Sequence, residues 1–137
     1  MLVTIHLTIV ILTGLLVLYS DEQALAWILE KQEVLKKGRI TFLHRTVSIG
    51  LACLLVTGGL LYSQAPAAYL STNTFIVKMT AIAALILNTY AIDRLSHTAY
   101  TRPFASLSTK ERLPLLISGG VSFLGWVTAI TCGLLIA

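Results

Sequence analysis

FIVKMTAIAALILNTYAIDRL, residues 75–95, is an apolar run of helical length interrupted early by one lysine, Lys78. It shows no strand alternation, and roughly 20 apolar residues are what a helix needs to cross a hydrocarbon core. Lipid offers the backbone no hydrogen-bond partners, so a helix is the economical solution. A charged side chain at the centre of such a helix costs on the order of 3 kcal/mol on the insertion scale. Lys78 therefore has either a route to water or a task.

The rest of the chain repeats the pattern. Hydrophobic residues make up 56% of the 137 and charged ones 12%, with a mean hydropathy of +0.85, far outside the soluble globular average. Segments at about residues 2–19, 40–62, 74–92 and 115–137 are each long enough to span a bilayer. The expected fold is all-α, an integral membrane four-helix bundle forming a single domain over residues 1–137. Residues 1–5 carry no Lys or Arg and no small-x-small site precedes Ser20, so the first segment reads as a mature helix rather than a secretory signal.

The charge map orients the bundle. Lys31, Lys36, Lys37 and Arg39 lie in the first connection and Arg94, Arg102, Lys110 and Arg112 in the third, whereas residues 63–73 carry no charge. The positive-inside rule places both charged connections in the cytoplasm and both termini outside, leaving Lys78 as the one basic residue of the outer half. The same pattern accounts for the formal net charge of +4, so no nucleic-acid partner is expected. The expected setting is a prokaryotic inner or plasma membrane, with the lipid bilayer as partner and a homo-oligomer left open.

The connections carry signals of their own. SDEQ at residues 20–23 fits a capping box, Leu25, Ile28, Leu29 and Leu35 follow at helical spacing, and Gly38 reads as a stop. An interfacial helix is expected there. The third connection contains Pro103 and Pro114 and reads as a less regular crossing. In the fourth segment Ser118, Ser122, Gly125, Ala129, Cys132 and Gly133 form a small-residue face, which suits close helix packing or a groove for a flat ligand. Cys53 and Cys132 fall in different segments at different depths, and no Cys-x-x-Cys motif occurs.

Polar residues inside the segments are the functional candidates. His6 and Lys78 each lie about four residues in from the outer side, roughly 6–8 Å deep at 1.5 Å per residue. Alone, His6 is accounted for by a neutral imidazole satisfied by a hydroxyl or carbonyl, and Lys78 by snorkelling to water. At the opposite end Asp21, His44, Arg45, Asp93, Arg94 and His97 suggest an ion-paired rim. His44 is the one member placed well inside its segment, and a depth difference of roughly 12 Å from His97 rules out a coplanar bis-histidine clamp.

A histidine near the outer start of the first segment (His6), the basic entry HRTVSIG at residues 44–50, the run FIVK at residues 75–78 and the entry ERLPLL at residues 111–116 together resemble HemJ-type protoporphyrinogen oxidases and the related copper-resistance D-type membrane domains. The resemblance spans nearly the whole chain. It implies haem b as cofactor, a redox role, and functional positions at His6 and Lys78. The chain departs from the pattern where Asn88, Thr89 and Tyr90 replace a Tyr-His pair and where Glu111 stands three residues before Pro114. Those departures point to haem binding ahead of oxidase activity.

Three readings follow. In the first the bundle binds haem b or a related tetrapyrrole, with His6 as axial metal ligand or substrate contact and Lys78 as propionate partner or catalytic proton donor; His44 is a further candidate for contact with the cofactor. In the second, His6, His44 and Cys132 mark stations of a metal-ion or proton transporter. In the third the chain is an accessory subunit without chemistry of its own.

Overall fold

The computed structural model describes residues 1–136, so Ala137, the end of the fourth expected segment, lies outside the described residues. The elements in order are α1 (Leu2–Ile28), α2 (Lys37–Gln64), the short α3 (Pro66–Leu70), α4 (Asn73–Thr101), a 3-10 turn (Phe104–Ser106) and α5 (Thr109–Ile136). No strand occurs among the described residues. The four long helices are each long and apolar enough to cross a membrane. At 1.5 Å per residue they measure about 40–44 Å, roughly 10 Å more than a hydrocarbon core requires.

The surplus lies at the end that carries the charges. The separate interfacial helix expected after Ser20 does not form, because α1 runs through the SDEQ stretch without a break. It stops at Leu29, where the Glu30 N–H donates to the Trp27 carbonyl and the Lys31 N–H to the Ala26 carbonyl. These are the two bonds of a Schellman motif, and Glu30, at φ 60°, takes the left-handed position that glycine usually fills. Gly38 is no stop; it lies in the first turn of α2. The third connection is largely helical too, since α4 continues to Thr101 and Pro114 sits inside α5.

Two helix pairs build the bundle. α1 packs along α2 and α4 along α5, while the pairs meet more sparingly through α1 and α5. Close approach within each pair depends on glycine: a Cβ on Gly50 would overlap the Thr13 side chain, and one on Gly125 would lie 2.8 Å from a Leu85 methyl. Buried Asn88 and Ser118 link α4 to α5, with the Ser118 hydroxyl donating to Asn88 Oδ1 at 2.8 Å and Asn88 Nδ2 donating to the Ser118 carbonyl at 3.0 Å.

At the charged end Trp27, Leu35, Ile40, Leu43, Ala99 and Leu107 form a buried cluster. The Trp27 indole N–H donates to the Arg102 carbonyl at 3.1 Å, and its ring meets Phe104 edge-on at 5.2 Å. The Arg112 guanidinium lies over the Phe104 ring, 4.9 Å from its centroid. Glu111 accepts from the Ser108 N–H at 2.8 Å, capping α5, and pairs with Arg102 at 2.6 Å. The ion-paired rim expected of Asp21, Arg45, Asp93 and Arg94 is not what holds this end: among the described residues the one salt bridge is Arg102 to Glu111.

Candidate functional site

All six acidic residues and nine of the ten Lys and Arg residues lie in the charged half, so Lys78 is the one charged side chain of the opposite, charge-poor half. That half contains a partly open cavity of about 430 Å³, lined mainly by α1, α2, α4 and α5. His6 and Lys78 both line it. Counting residues from the helix ends anticipates this, because α1 and α4 both begin at the charge-poor end and rise at the same rate.

The floor is apolar, formed by Leu51, Leu85 and Trp126 of the central core cluster. Tyr62, Tyr69 and Phe75 gather at the far end, where Tyr62 and Phe75 stack with centroids 5.6 Å apart and planes 10° from parallel. Tyr69 of α3 leans on both rings. Small residues make room for the polar groups: a Cβ on Gly58 would lie 3.5 Å from His6 Cε1, and one on Gly133 would lie 3.4 Å from Lys78 Nζ. The small face of α5 thus divides its roles, with Ser118 and Gly125 in helix packing and Ala129 and Gly133 on the cavity.

The imidazole is held in one orientation. His6 Nδ1 lies 2.7 Å from Thr57 Oγ1, and that hydroxyl donates its own proton to the Cys53 carbonyl at 2.9 Å. When the hydroxyl donates to Cys53 in this way, Nδ1 carries the hydrogen and Nε2 keeps its lone pair; in the other tautomer the hydroxyl donates to Nδ1 instead. A hydroxyl neighbour satisfies one ring nitrogen of His6, as the residue alone would require, and in the Nδ1–H tautomer the other nitrogen can bind metal or accept a proton. No sequence signal singles out Thr57 as its partner.

The other candidates lie elsewhere. His44, a sequence candidate for cofactor contact, is half-buried on α2 but does not line the cavity. It is 13 residues along the helix from Thr57, about 20 Å, so it cannot share a ligand with His6. His97 is exposed near the end of α4. Cys132 is buried one residue before Gly133. Among the described residues no three His, Cys, Asp or Glu side chains gather as a metal site. Compared with family models, curated proteins and solved structures, the chain gives no match.

Proposed function

We propose that this chain is a multi-pass membrane protein that binds haem b or a related tetrapyrrole in the charge-poor cavity, in a redox role. The positive-inside rule applied to the basic connections supports an outer-side cavity and both termini outside. The carrying observation is the placement of His6: Nδ1 is engaged by Thr57, and the ring lines an apolar cavity. Axial histidines are typically oriented in this way by a hydrogen bond on the other ring nitrogen.

The available donors favour a tetrapyrrole over a bare ion. A structural or catalytic metal ion needs three or four protein ligands, whereas a tetrapyrrole brings four nitrogens and needs only an axial donor. His6 supplies that donor. Lys78 supplies a cation for a carboxylate at the same depth, where no other charged side chain competes. The cavity falls within the usual size of small-molecule sites, roughly 300–1,000 Å³. Bound iron would contribute one-electron chemistry; the protein's part is to hold the ring, orient the imidazole and exclude water. The HemJ-type resemblance at His6 and Lys78 agrees with this assignment.

Titration of haem b into the purified protein tests it. Thr57→Val, which leaves the imidazole unoriented, should weaken binding by about 10- to 100-fold. His6→Ala and Lys78→Gln should each weaken it, and the double variant should be little worse than the poorer single one, as expected of residues serving one ligand. Independent, fully additive effects would reduce Lys78 to a lysine that snorkels to water.

A further inference from the structure

The two seams between the helix pairs differ. α1 and α5 close on each other in the middle of the bundle, where a Cβ on Gly14 would lie 3.4 Å from the Ile130 methyl. α2 and α4 are tied at both ends, by the Tyr62–Phe75 stack and by Ile40 and Leu43 against the cluster that contains Ala99. Between those ties their backbones come close at few points, although Leu51 and Leu85 share the core cluster at the cavity floor. The cavity wall is exposed along this stretch: Leu55 at 40%, Met79 at 43%, and Gly59 with no atom within 4 Å of where its Cβ would stand. These residues lie about 8–14 Å inside the helix ends, at the depth of hydrocarbon in a bilayer.

We infer that the seam between α2 and α4 is a lateral portal, and that the cavity takes a membrane-dissolved amphiphile whose apolar body enters from lipid and whose acidic group is drawn to Lys78. This rests on the reading that the chain spans a membrane and binds its ligand in this cavity. A ligand entering along this seam meets aliphatic side chains and the bare face of Gly59. Lys78 then selects among lipid-soluble molecules for those with a carboxylate, because burying an unpaired carboxylate elsewhere in this half would find no cation.

The test uses lipid itself as the probe. The chain has two tryptophans, and Trp126 is buried at the cavity floor. The full chain carrying Trp27→Phe is reconstituted in phosphatidylcholine vesicles with brominated acyl chains, which quench indole fluorescence on contact. Trp126 should be quenched, and Gly59→Phe, which fills the gap, should abolish most of that quenching. Gly119→Phe, an equally roomy position away from the cavity, should leave it unchanged. If Trp27→Phe fails to fold, the parent chain serves, since only the quenching that depends on Gly59 counts. Unquenched Trp126, or equal quenching with and without Gly59→Phe, overturns the portal. No tetrapyrrole is added, so this outcome is separable from failure of the haem assignment.

Discussion

The two ends of the bundle are built from the same four helices and differ in almost every other respect. The charged end closes on Trp27, braces it with Phe104 and Arg112, and caps α5 through Glu111. The charge-poor end leaves a cavity at the corresponding place and lines it with His6 and the lone cation Lys78. Fifteen of the sixteen charged side chains lie at one end, and an ionisable group within an apolar helix is expensive in lipid, which makes the sixteenth, Lys78, the residue to test. One end is packed scaffold, and the other holds the cavity in which we propose that a ligand binds.

The largest expected effect breaks the scaffold. Trp27 is 2% exposed, and Trp27→Ala should cost about 3–5 kcal/mol in unfolding measured in mixed micelles. Phe75→Ala, the matching truncation at the charge-poor end, should cost clearly less, because Phe75 is half-buried and faces the cavity. Equal losses would mean that the cavity end is as tightly built as the other. A smaller effect belongs to the contact between α1 and α2. Gly50→Ala should destabilise by about 1–3 kcal/mol through overpacking on Thr13, and Thr13→Ala should recover part of the loss, a coupling that a double-mutant cycle reads directly.

How much of this was legible in the sequence follows from the kind of signal each feature leaves. Hydropathy and charge placement report length and orientation, which is why four apolar helices and a shared depth for His6 and Lys78 could be read by counting. Ser20 illustrates the opposite case. Its capping signal is local and worth about 1 kcal/mol, whereas continuing α1 buries Gln23, which accepts from Gln32 and Arg39, and Trp27, which anchors the turn after α4. The larger tertiary gain wins. The helix then ends at Glu30 in a left-handed conformation that its side chain does nothing to announce.

The site was only half legible, for a related reason. Helices apolar all round carry no periodic signal of which face meets which neighbour. Thr57 as the partner of His6, and three aromatic rings brought together from α2, α3 and α4, depend on those faces. His44 looked embedded by the same counting that placed His6, but depth along a helix does not say whether a cavity lies beside it.

The smallest effect sharpens the boundary between the two ends. Asn88 and Ser118 form a polar pair outside the cavity lining. Asn88→Ala should lower stability by about 0.6–1.7 kcal/mol, the range for hydrogen bonds between helices in lipid, and leave haem affinity unchanged. A loss of affinity would extend the site into the packed middle of the bundle.

The most direct test of the division sets one histidine from each end against the other. Haem b is loaded into the parent protein, His6→Ala and His44→Ala, and the Soret band of each is recorded after removal of unbound haem. The account predicts that His6→Ala loses or strongly shifts the band while His44→Ala keeps the parent spectrum. A band that survives His6→Ala intact and disappears with His44→Ala would place the ligand at the charged end and contradict it.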